Sequence, residues 1–188
     1  MSNLAIIEEI LHSRYKPMEQ NFLIEENKDG KKQAFEMKYK IVKRPGIYHH
    51  LFRYEEDALP FFDTGISGLK KMCDFILFAE DEREILYVFL IELKLGTDSA
   101  MKQLNAAKEF VQFIINSALR VGKEISDYKI RKIRISDEKV QNYVSQKPKS
   151  KAKTNIGSKV EASFIFDEND YCEYRLKDFK LTALIEHI

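Results

Sequence analysis

A chain of 188 residues, 44% of them hydrophobic and including 13 Phe and 9 Tyr, suits one domain with a substantial core. With 31 Lys and Arg against 30 Asp and Glu, the formal charge of +1 gives no global signature of a nucleic-acid binder, so any basic surface must come from local segregation. Cys73 and Cys172 follow neither a zinc spacing nor a disulfide framework, Glu8 and Glu9 interrupt the apolar N-terminal stretch as no signal peptide would tolerate, and no run approaches the roughly 20 apolar residues of a membrane span; a cytoplasmic protein with reduced thiols is expected.

Residues 3–15 place Leu4, Ile7 and Leu11 at helical spacing, with Ile6 and Ile10 widening the apolar face, and Pro17 ends this first helix. Residues 21–26 and 34–42 read as strands around the turn Asn27-Lys28-Asp29-Gly30, because Asp-Gly between apolar runs is a hairpin signal. After the break at Arg44-Pro45-Gly46, residues 48–59 read as a second helix stopped by Pro60, with Phe61-Phe62-Asp63 starting a short strand.

From Met72 the pattern sharpens. Residues 73–79 and 85–95 are aromatic and β-branched runs separated by the charged turn Glu80-Asp81-Glu82-Arg83-Glu84, which predicts two paired central strands. Gly96 closes the second, Thr97, Asp98 or Ser99 caps a long helix reaching about Arg120, and Gly122 stops it. Its core stripe is Ala100, Met101, Leu104, Ala107, Val111, Ile114 and Ala118. Residues 128–135 set Ile130, Ile133 and Ile135 among Lys and Arg and read as another strand. Residues 146–159 collect Lys147, Lys149, Lys151, Lys153 and Lys159 with no acidic residue, as a mobile basic loop does. Residues 160–166 and 171–176, divided by Asp167-Glu168-Asn169-Asp170, predict a final hairpin within the same domain. The expected class is α/β, a mixed central sheet flanked by helices.

The chemistry is concentrated in Cys73-Asp74-Phe75 and in Tyr87-Val88-Phe89-Leu90-Ile91-Glu92-Leu93-Lys94. The second run is apolar until a carboxylate and an ammonium occupy alternate positions near its end, and burying such charges is costly unless they pair or bind a metal. Glu92 and Lys94 point to one face, about 6.6 Å apart along a strand at roughly 3.3 Å per residue. With Asp74 on the adjacent strand and the same face, two carboxylates and one amine converge. That set suits phosphodiester hydrolysis, in which hard oxygen ligands hold Mg²⁺ or Mn²⁺. Asp74 and Glu92 are the expected metal ligands, the Leu93 carbonyl can add an oxygen, and Lys94 positions the attacking water and offsets transition-state charge.

At these residues the chain resembles the PD-(D/E)XK nuclease superfamily, whose restriction-endonuclease-like core runs helix, three strands, helix, strand (αβββαβ). The resemblance covers roughly residues 72–135, with Cys73 in the place of the usual proline. It implies a role for Gln103, on the flank of the helix stripe, in orienting substrate, although the tyrosine that often follows four residues later is Ala107 here. It also implies an additional metal-ligating acid from the first helix, with Glu8 the best placed and Glu55 or Glu56 competing. A metal-dependent nuclease is thus expected, with DNA favoured over RNA, acting in restriction, repair or defence against mobile DNA, and with a homodimer or a regulatory partner plausible. Lys147, Lys149, Lys151 and Lys153 are expected to touch phosphates, extended by Lys129, Arg131, Lys132 and Arg134. The competing readings are an edge-strand salt bridge on a wet face, a binding or interaction module that keeps the nuclease fold without catalysis, and an unrelated α/β protein. His12, His49, His50 and His187 show no metal-ligand spacing, and the chain contains no Gly-rich phosphate loop or nucleophile elbow.

Overall fold

The computed structural model describes residues 1–27, 35–54, 59–63, 65–94, 99–136, 166–174 and 178–188. Helix α1 (Asn3–Ile10) opens the chain, and Ser2 caps it by accepting the Ala5 N–H at 3.2 Å. Strands β1 (Phe22–Asn27) and β2 (Phe35–Val42) follow, then β3 (Tyr48–Phe52), β4 (Phe75–Glu80) and β5 (Leu86–Lys94). Helix α2 (Met101–Arg120) leads to β6 (Tyr128–Ser136), β7 (Tyr171–Tyr174), β8 (Phe179–Lys180) and α3 (Leu181–Glu186).

Five strands form the central sheet in the order β3-β4-β5-β6-β7. The pairs β3–β4 and β4–β5 are antiparallel, whereas β5–β6 and β6–β7 are parallel. β5 sits in the middle, which explains its near-continuous apolar run: a strand covered on both faces has no wet side on which to alternate. The parallel β5–β6 pair requires a crossover, and α2 supplies it. The positive φ of Gly122 ends α2, as the sequence predicts.

On one face of the sheet, Ile76, Phe78, Val88 and Leu90 pack against Leu4, Ile6 and Ile7 of α1 and Leu104, Ala107 and Val111 of α2. On the other, Phe75, Leu77, Phe89, Ile91 and Ile133 pack against Leu23, Met37, Tyr39 and Ile41 of the first hairpin and Leu181 and Leu184 of α3. The fold is therefore mixed α/β, with two sheets among the described residues. The expected arrangement, one sheet between helices, needs correction: α1 and α2 share a face, and a second sheet, β1-β2-β8, builds most of the opposite layer. No described helix is long and apolar enough to cross a membrane.

Three further expectations change. Residues 48–52, read as the start of a helix, form β3, because the free edge of β4 pairs with Tyr48, His49, His50, Leu51 and Phe52 one by one and tertiary pairing overrides weak local preference. Residues 55–58 fall outside the described residues, and Phe61 to Asp63 form a turn instead of a strand, with Phe61 exposed. The C-terminal hairpin is also revised. β7 joins β6 in parallel, while most of the hairpin's first arm lies outside the described residues.

Candidate active site

Asp74 sits one residue before β4, one step beyond the Phe75–Ile91 pair, and so lies opposite Glu92. The side chains lace the two strands together where the ladder ends. The Leu93 N–H donates to Asp74 Oδ2 at 2.6 Å, and the Asp74 N–H donates to Glu92 Oε2 at 3.2 Å. Glu92 Oε1 receives Lys94 Nζ at 2.6 Å. Glu92 is only 3% exposed and Lys94 half-buried, so this is not the edge-strand salt bridge of a wet face. The three residues singled out by the sequence come together.

The charges around them do not balance. Burial, then repulsion from Glu92, pushes the Asp74 carboxyl up to about 6, although the Leu93 N–H, Lys94 and Arg53 pull the other way. Burial also pushes Glu92 up, more than the Lys94 bond lowers it. A third acid contributes. Glu25 on β1 is raised by burial and then by Asp74, and it in turn raises Glu92. Three carboxylates face two cations, Lys94 and Arg53; Glu92 is buried, while Glu25 and Arg53 remain partly exposed.

A hard divalent cation fits this donor set: placed between Asp74 and Glu92, it would offset the Glu92 repulsion that helps raise Asp74 and the burial that raises both. Leu93 can add an oxygen, since a strand residue sends its N–H and C=O from the same edge and the Leu93 N–H faces Asp74. Among the described residues no three His, Cys, Asp or Glu side chains gather tightly enough to complete a metal site alone. Water and substrate oxygens would have to supply the remaining ligands, as they commonly do for Mg²⁺.

Glu8 does not reach this centre. It receives Lys16 Nζ at 2.7 Å and faces His50 Nε2 at 3.3 Å, and His50 pairs with Phe78, four residues along β4 from Asp74. At roughly 3.3 Å per residue that is about 13 Å away. Glu8 lies on the flank of α1, but the first turn of α1 is held at Glu80, the end of β4 opposite Asp74. Glu25 is the acid that sequence reasoning missed. A signal existed: Leu23 is buried, so residue 25 shares its inward face, opposite buried Met37 in the hairpin register.

Gln103 is half-buried near the start of α2 and makes no hydrogen bond to Asp74, Glu92 or Lys94. The basic residues of β6 do not form an open surface. Lys132 and Arg134 are buried, and Arg131, Lys132 and Arg134 engage Asp170, Asn105 and Glu173 at 2.7, 3.1 and 3.0 Å. Lys147, Lys149, Lys151, Lys153, Glu55 and Glu56 lie outside the described residues. Cys73 is buried beside the site with its thiol pushed well up by burial, which removes it as a nucleophile. A cleft of about 700 Å³, lined by Glu8, His49, His50, Glu80 and Glu82 among others, opens at the far end of β4 and is not this site. Comparison with family models, curated proteins and solved structures finds no match to this chain.

Proposed function

We propose that this protein is a metal-dependent nuclease that hydrolyses phosphodiester bonds, with DNA the favoured substrate. The observation that carries the reading is the pairing of Asp74 with Glu92 across two strands, with Lys94 bound to Glu92 at 2.6 Å, at the end of an otherwise apolar sheet. The order α1, β3, β4, β5, α2, β6 supports a restriction-endonuclease-like core, since it runs helix, three strands, helix, strand. The first hairpin is then an insertion between the core's first helix and first strand.

Asp74 and Glu92 would hold Mg²⁺ or Mn²⁺, with the Leu93 carbonyl beside them. When bound, the cation supplies positive charge to the phosphoryl oxygens and acidity to a water. Glu92 holds the Lys94 ammonium on the same face of β5, where its Nζ can orient the attacking water and offset charge gathering on the phosphoryl oxygens. The buried strands below exclude bulk solvent, so these interactions act at low dielectric. The mutual reach of the three side chains favours this reading over a binding module that has lost catalysis.

The test is cleavage of plasmid, linear duplex, single-stranded DNA and RNA with Mg²⁺ or Mn²⁺, comparing wild type with Asp74→Ala, Glu92→Ala and Lys94→Ala. Loss of cutting on the order of 10²-fold or more is expected in each variant, with none in EDTA. Folded wild type that cuts nothing, or variants as active as wild type, would defeat the proposal.

A further inference from the structure

Beside the acidic pair lies one cation that the proposed chemistry leaves without a task. Arg53 follows β3, its backbone anchored by an N–H donated to the Tyr15 carbonyl at 2.8 Å. Its guanidinium lies 5.6 Å from the centre of the Phe75 ring, next in sequence to Asp74. Nη2 donates to Glu25 Oε2 at 2.9 Å and Nη1 to the Ile24 carbonyl at 3.3 Å. These bonds use two of the five donors of a guanidinium, and the side chain remains 42% exposed.

We infer that Arg53 grips a phosphate of the substrate strand next to the metal ligands, and that Glu25 occupies that phosphate's place in the free protein. This rests on the nuclease reading. Three features carry it. The Phe75 ring and the Ile24 carbonyl hold the guanidinium, and the Tyr15 bond holds its backbone, so little ordering remains to be done when substrate arrives. A planar fork that accepts one carboxylate geometry accepts a phosphodiester equally well. The resident carboxylate is also easily displaced: the pair is partly exposed, where ion pairs contribute little, and Glu25 is repelled by Asp74. A purely structural ion pair would gain nothing from lying against a third acid. A placeholder must be held weakly enough to leave.

The exchange makes Glu25 a competitor of the substrate, so the two partners have opposite mutant phenotypes. The experiment is fluorescence anisotropy of the full chain with a labelled duplex in Ca²⁺, over a series of salt concentrations, with melting temperatures recorded for every variant. Arg53→Ala is expected to weaken binding about tenfold and to reduce the salt slope by about one ion. Glu25→Gln is expected to tighten binding severalfold, and the double variant to bind like Arg53→Ala. Arg53→Lys, which keeps the charge and loses the fork, should keep the slope while losing affinity, and it decides the matter if Arg53→Ala does not fold. An unchanged slope in folded Arg53→Ala, full affinity in Arg53→Lys, or weakened binding in Glu25→Gln overturns the assignment. If wild type cuts duplex and any of these holds, Arg53 alone is misassigned; if wild type neither binds nor cuts nucleic acid, the nuclease reading falls with it.

Discussion

The two ends of β4 each bury carboxylates and treat them in opposite ways. At the turn end, Glu80 is 5% exposed and accepts the N–H groups of Asn3 and Leu4 at 3.1 and 3.0 Å, two donors that the first turn of α1 cannot satisfy internally. Beside it, burial pushes the Asp81 carboxyl up, but the Arg83 side chain, at 2.6 Å, and the Arg83 backbone outweigh burial and hold it below the usual range. At the other end, burial and Glu92 win over every donor, and Asp74 rises to about 6. An acid that serves the fold is supplied with partners by the fold. An acid left in deficit is available to something that arrives from outside.

The largest effect that would sharpen this contrast is on stability at the turn end. Glu80→Ala strands two buried N–H groups at a helix N-terminus and should cost about 2–4 kcal/mol, seen as a lowered denaturant midpoint. Cleavage per folded molecule should stay within twofold of wild type. A Glu80→Ala protein of normal stability that no longer cuts would break the contrast.

At the Asp74 end the sign reverses. Asp74 has a folded-state pKa of about 6, above its ordinary value of 3.8, so its ionised form opposes folding. That penalty is present above pH 6 and is relieved as pH falls through 6 towards 4, where the native state binds the proton that the unfolded chain does not. Asp74→Asn keeps an oxygen for the Leu93 N–H and removes the charge. In metal-free buffer at pH 7.5 it should be more stable than wild type by on the order of 1–2 kcal/mol, with the advantage shrinking at pH 4.5. Paired melts at the two pH values check this, and a less stable Asn variant at pH 7.5 would show that Asp74 is balanced after all.

What the sequence reveals follows the same division. Asp74, Glu92 and Lys94 were legible because β5 is apolar to its end, and in such a run two charges stand out by cost alone. The stripe and the C-terminal end of α2 were legible for a related reason, as local signals that include Gly122, whereas its cap is Ala100 and not Ser99 as expected, Thr97 and Asp98 lying outside the described residues. β3 was not, because two histidines and an exposed Tyr48 carry little period of their own and the strand exists by virtue of its pairing with β4. Glu25 was hidden for a deeper reason. Its inward direction follows from the hairpin register, but which acid that hairpin brings to the site depends on how a second sheet stacks on the first, which no local pattern encodes. The parallel addition of β7 is equally non-local.

Glu8 offers the smallest effect and a direct check on where the acids belong. Its side chain is 54% exposed, and its partners are Lys16 at 2.7 Å and His50 at 3.3 Å. Burial, with help from Lys16, lowers the His50 pKa, so that ring is neutral at pH 7 and the Glu8–His50 contact is then a hydrogen bond and not an ion pair. Only the Lys16 pair remains ionic, and exposed pairs contribute about 0–1 kcal/mol. Glu8→Ala should therefore shift the denaturant midpoint by less than about 1 kcal/mol and leave metal-dependent cutting within twofold. If Glu8 were instead the acid completing the metal centre, cutting would fall on the order of 10²-fold while stability barely changed. Such a result would mean that α1 approaches Asp74 during turnover, since here Glu8 sits four strand positions away.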